Sequence, residues 1–277
     1  MKANSAHDYL GWFGIVRLGL VQTALGAVVV LTTSTLNRVM VVELSLAAVL
    51  PGALVGWHYG VQMLRPRWGY GADLGGARRP WIIGGMAVLA LGGLGAAAST
   101  ALMATALWTG VLAAAVSFFL IGVGVGASGT NLLALLATRV APARKAAAAA
   151  IVWIMMIVGF VLTAGISGSL LDPFSMGRLI VIAGAIGAIA FAVAFVATLG
   201  VEGRNAAPAA PRAEKPAFRE ALSEVWSEPQ ARRFAISCRL SMRHCWLRSD
   251  GRRRSGRSGG RITITAQKVV RWTTTTS

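Results

Sequence analysis

The sequence predicts an all-α membrane protein with six transmembrane helices, and three observations lead there. Charged residues make up 13% of the 277 residues and apolar ones 55%; a soluble domain carries about 25% charged residues. Six stretches reach the roughly 20 mostly apolar residues that a spanning helix needs: 11–36, 43–64, 81–104, 108–138, 146–170 and 177–201. No segment alternates apolar and polar residues as the strands of a transmembrane barrel would. Backbone groups facing lipid must be satisfied within the segment, so these runs are expected as helices.

The first span carries Arg17 near its start, from where a long side chain reaches back to the headgroups. Arg38 and Glu43 flank the short turn that follows and read as a clamp across it. The second span holds Trp57-His58-Tyr59 and Gln62. Residues 65 to 80, Arg-Pro-Arg-Trp-Gly-Tyr-Gly-Ala-Asp-Leu-Gly-Gly-Ala-Arg-Arg-Pro, read as a tight glycine- and arginine-rich turn before the third span. The fourth is the longest and is expected to tilt or extend past the hydrocarbon. It contains Gly122, Gly124, Gly126 and Gly129, and Asn131 near its end. The fifth holds Gly159, Gly165 and Gly168, and the sixth Gly184 and Gly187. In lipid, helices associate by close backbone approach, which glycine permits, so these positions read first as packing. The sharper alternative is that Gly124 and Gly126 line a moving cleft.

Loop charge sets an orientation. Arg65, Arg67, Arg78, Arg79, Arg139, Arg144 and Lys145 lie on one side, against Arg38 and Arg178 on the other. Basic loops stay in the cytoplasm, so both ends of the six-span region are expected inside. The net charge of +17 then reflects a membrane face set against anionic lipid rather than a nucleic-acid surface.

Residues 1–203 form the expected transmembrane domain. Residues 204–236 read as a cytoplasmic linker with an amphipathic helix, in which Phe218, Leu222, Val225 and Trp226 share a face. Residues 237–277 carry ten Lys or Arg against Asp250 and no apolar period, so they read as a disordered basic tail. Cys238 and Cys245 lie in that tail and form no zinc pattern. No nucleophile–base pair, metal cluster or phosphate loop stands out, and an enzyme is not expected.

Ionisable or polar groups inside a membrane are candidate sites. His58 has two readings. A neutral imidazole is a natural axial ligand for the magnesium of a chlorin, and a lone histidine is more often a hydrogen-bonded packing residue. Gln22, Gln62 and Asn131 can line a cleft or bond between helices. Trp153, Met155 and Met156 offer a soft apolar surface or ordinary packing.

Gly69, Asp73, Gly76, Arg78 and Arg79 fit Gly-x-x-x-Asp-x-x-Gly-x-Arg-Arg, which resembles the loop between the second and third helices of the major facilitator superfamily. Leu74 departs from it, standing where the general pattern has a basic residue. Further stretches are residues 34–44, Trp57 to Tyr59, Arg65 to Gly71, Leu132 to Lys145 and Ala150 to Met156. With the loop, they resemble the PucC and LhaA proteins, the bacteriochlorophyll-delivery branch of that superfamily. The resemblance covers about residues 10 to 236. It implies the N-terminal half of a twelve-helix major-facilitator fold in a bacterial inner, intracytoplasmic membrane. It further implies a light-harvesting assembly factor in contact with membrane lipid, antenna polypeptides and bacteriochlorophyll, or acting as a homo-oligomer. A secondary transporter of a small amphiphile and an inactive truncated product are the alternatives. A seventh span is expected after Ile236, where the composition changes instead, and the tail is read as a frame-shifted translation.

Overall fold

The computed structural model describes residues 9–75, 77–201 and 227–228. Gly76, the linker and the basic tail lie outside the described residues, apart from Ser227 and Glu228. The described bundle is helical, without strands.

Helix α1 (Trp12–Val30) runs through one π-turn (Leu31–Thr35) into α2 (Leu36–Val42). Together they make a single apolar segment, Trp12–Val42. Helix α3 (Val49–Gln62) is followed by α4 (Arg65–Gly75), α5 (Arg79–Met103), α6 (Leu107–Arg139), α7 (Lys145–Leu170) and α8 (Met176–Ala197). Five segments are long and apolar enough to cross a membrane: Trp12–Val42, α5, α6, Pro142–Leu170 and α8. The second expected span is helical over only 14 residues, α3, before it breaks.

Two differences from the sequence reading have clear causes. The first turn falls at residues 43–48, not after residue 36. The hydroxyls of Thr32 and Thr33 donate back to the carbonyls of Val28 at 3.0 Å and Val29 at 2.7 Å. Their polarity is thus satisfied inside the helix. The chain turns instead around Ser45, whose φ of 51° lies in the left-handed region.

The second difference is the basic loop, which is mostly a helix. Pro66 has no N–H to give Gln62, and its ring crowds the preceding turn. The chain tightens at Met63 and Leu64, whose amides reach Gly60 and Val61 at 3.1 Å, and then restarts as α4. Three glycines weaken α4 on propensity alone, and packing overrides them.

One layer of the bundle is the row α3, α6, α1, α7; α5 lies along α6, and α8 lies against both α5 and α1. Small residues set the spacing. A β-carbon at Gly124 would lie 2.6 Å from the Leu89 amide nitrogen, and one at Gly85 2.6 Å from that of Ser128. Here α5 and α6 touch backbone to backbone, which any side chain would prevent. Gly122 is closed by Val61 and the His58 carbonyl, and Gly159 by Thr23. These are packing positions. Gly165 and Gly168 have no neighbour within 4 Å and lie on the exposed face of α7, which also presents Ile154, Val161 and Leu162.

Candidate functional site

Three polar side chains, His58, Gln62 and Arg65, join in a row where α3 passes into α4. His58 is fully buried at 0% exposure. Gln62, one turn on, brings its Nε2 within 2.7 Å of His58 Nε2. Arg65 Nη2 donates to Gln62 Oε1. Because the arginine takes the carbonyl oxygen, the amide presents its N–H side to the ring. His58 Nε2 is then the acceptor, and a neutral ring carries its proton on Nδ1, a buried atom with no hydrogen-bond partner. Spacings of four and three residues place the three side chains on one helical face, so this row was readable in the sequence.

That arrangement points the Nε2 lone pair of His58, the reading of which was pigment ligation or packing, at Gln62. A magnesium ligand must offer a free lone pair, and the Nε2 lone pair is taken by Gln62. Bacteriochlorophyll does not fit His58 as the side chain is placed here.

Helix α4 lies across α6. Trp68 covers Gly126, so a β-carbon there would overlap the indole, and Gly69 faces Thr130 at 3.4 Å. Gly71 meets the Trp81 ring at 3.1 Å. Asp73 pairs with Arg78 across the corner into α5. The motif's Asp73–Arg78 pair thus fastens α4 to α5, as does Gly71, outside the motif, on Trp81; of the motif's glycines, Gly69 lies against α6 and Gly76 is outside the described residues. Between these helices is an apolar groove of about 320 Å³, walled by Trp68, Pro80, Trp81, Val88 and Val123 over Gly84.

Arg79 sits over the Phe195 ring at 5.5 Å, and Arg144 over Trp12 at 5.7 Å. Arg17 donates to the carbonyls of Val196 and Leu199 at the end of α8. A cation there satisfies carbonyls that the helix leaves unpaired and complements its dipole. Sequence alone suggested only that Arg17 reaches the headgroups; its partner is 179 residues away.

Asn131, also fully buried, donates from Nδ2 to the Ala127 carbonyl at 2.8 Å, leaving its Oδ1 unpartnered. Arg38 and Glu43 are both exposed, and no ion pair joins them among the described residues. The helix continues past Arg38 to Val42, so the two do not straddle the turn. Met155 packs on Gly19, and Met156 accepts from Gln22 at 3.2 Å, so both belong to the α1–α7 contact. Trp153 is exposed.

The PUCC protein family matches residues 35–248. The chain belongs to the PucC family. The match covers α2 to α8, including the α3–α4 row and the groove, and it continues past Ser237, where the tail was read to begin. Bacteriochlorophyll synthase 44.5 kDa chain of Rhodobacter capsulatus is 52% identical over 233 residues, covering 84% of this chain and 54% of that protein. Protein PucC of Rhodovulum sulfidophilum is 32% identical over 249 residues, 83% of this chain and 54% of its own length. Protein PucC of Cereibacter sphaeroides is 30% identical over 247 residues, 83% of this chain and 52% of its own length. The chain spans about half the length of the curated relatives it matches. No solved structure matches it.

Proposed function

We propose that the chain belongs to an assembly factor for light-harvesting antenna complexes that handles bacteriochlorophyll in the inner membrane of a phototrophic bacterium, and that it is not an enzyme. The observation that carries this reading is the family match over the helical bundle, with a relative named for bacteriochlorophyll at 52% identity. The word "synthase" in that name is not carried over. The buried polar groups of the bundle are amides, hydroxyls and one histidine already held by Gln62. Amides and hydroxyls do not exchange protons readily near neutral pH, and His58 is not among the residues that line the groove. Such a set supports binding and positioning better than acid–base chemistry.

Both ends of the bundle are proposed to face the cytoplasm, supported by the seven-to-two charge distribution of the loops. Pigment contact is assigned to apolar surfaces of the assembly and not to ligation by His58.

The test is co-purification. The full chain, tagged and extracted in mild detergent from a bacteriochlorophyll-producing host, should carry pigment absorbance and cross-link to antenna polypeptides. Neither signal rising above that of an unrelated multi-pass protein from the same membranes would remove the reading.

A further inference from the structure

The groove between α4, α5 and α6 plays no part in the function proposed above. Its walls are two indoles, a proline and valines, and it contains no charged side chain. Pro80 and Gly84 are exposed, so it opens on the outer surface of the bundle. At Gly84 a β-carbon would meet nothing within 4 Å. The space is real and the fold does not use it for packing. Its volume of about 320 Å³ is at the bottom of the roughly 300–1,000 Å³ range of small-molecule pockets. That suits one aliphatic chain.

Charge decides what the chain is attached to. The segment from Arg65 to Arg79 holds four arginines and one acid, Asp73, and that carboxylate is paired with Arg78. Arg67 adjoins Trp68 of the groove wall, is exposed, and pairs with no carboxylate among the described residues. A long cationic side chain one residue from the wall of an apolar slot can reach the phosphate of a lipid whose acyl chain fills that slot.

We propose that this groove is a binding site for an anionic phospholipid. One acyl chain lies between Trp68 and Trp81 over Gly84, and the phosphate is held at Arg67. The occupant is an anionic headgroup lipid because the segment from Arg65 to Arg79 keeps a net positive charge after Asp73 is paired. The bound lipid would cover the outer side of the contact between α4 and α5.

The experiment uses the full chain in nanodiscs of equal phosphatidylglycerol and phosphatidylcholine, released for native mass spectrometry. The wild type should retain one phosphatidylglycerol per chain. Gly84→Leu, which fills the slot where no atom stands in the way, should retain none while keeping its melting temperature. Arg67→Gln should lower phosphatidylglycerol retention about fivefold, the share of one basic residue at a lipid surface, and leave retention of phosphatidylcholine unchanged. Equal retention of both lipids by the wild type would overturn the proposal. So would unchanged phosphatidylglycerol retention in either variant.

Discussion

Trp68 occupies the place of a side chain that Gly126 does not have. The indole of α4 lies flat on the bare backbone of α6, so a residue from a basic, glycine-rich segment is the wedge that seats that segment on the bundle. Gly126→Val should therefore force Trp68 out and destabilise the bundle by about 1–3 kcal/mol, the usual cost of overpacking. Gly165→Ala, with nothing within 4 Å, should stay within about 0.5 kcal/mol of the wild type. Denaturant unfolding in detergent measures both. Trp68→Ala should restore part of the loss in the Gly126→Val background, as coupled neighbours do.

Arg17 holds the far end of α8. Arg17→Gln removes the cation that satisfies the Val196 and Leu199 carbonyls. Such contacts are worth about 0.3–2 kcal/mol, and the loss should be local. Hydrogen exchange of the amides near Thr198 should quicken by up to tenfold or so, with those of mid-α8 unchanged. A uniform change along the helix would place the role of Arg17 elsewhere.

His58 should be neutral and protonated on Nδ1, because Gln62 donates to Nε2. Nitrogen chemical shifts of a histidine-labelled sample report the tautomer directly; protonation on Nε2 would mean that the amide of Gln62 is turned round. His58→Leu should leave co-purified pigment at the wild-type level. A proportionate fall in pigment with the fold intact would reinstate ligation.

Orientation is tested at two exposed positions. A cysteine at Thr105, between α5 and α6, should react with a membrane-impermeant maleimide added to intact cells. A cysteine at Arg67 should react only after the membrane is opened. The reverse pattern would invert the bundle.

Much of the helical framework was legible as apolar runs. The ends of α6 fall at Leu107 and Arg139, within a residue of the sequence reading. The first boundary failed at the polar residues Asn37 and Arg38, which stand beyond the expected end at residue 36 and which the helix carries on to Val42. The helix over Arg65–Gly75 was hidden for a different reason: its glycines argue against it locally, and the contacts that hold it come from α5 and α6. Of the site, the row His58, Gln62 and Arg65 was present in the spacing but was not assembled. The pairing of Trp68 with Gly126 and of Arg17 with α8 depends on residues far apart in the chain, which no local pattern encodes. The motif contains both Asp73 and Arg78 but did not by itself assign their pairing, and no ion pair joins Arg38 to Glu43 among the described residues.

The central claim is that the chain serves antenna assembly and performs no step of pigment synthesis. A phototrophic strain deprived of this chain separates the two, because loss of a biosynthetic enzyme leaves its substrate to accumulate while loss of an assembly factor does not. Pigment extracts and membrane spectra from that strain should show a weakened antenna absorption band with no build-up of any bacteriochlorophyll precursor. Accumulation of a precursor, or an antenna band of wild-type strength, would contradict the account.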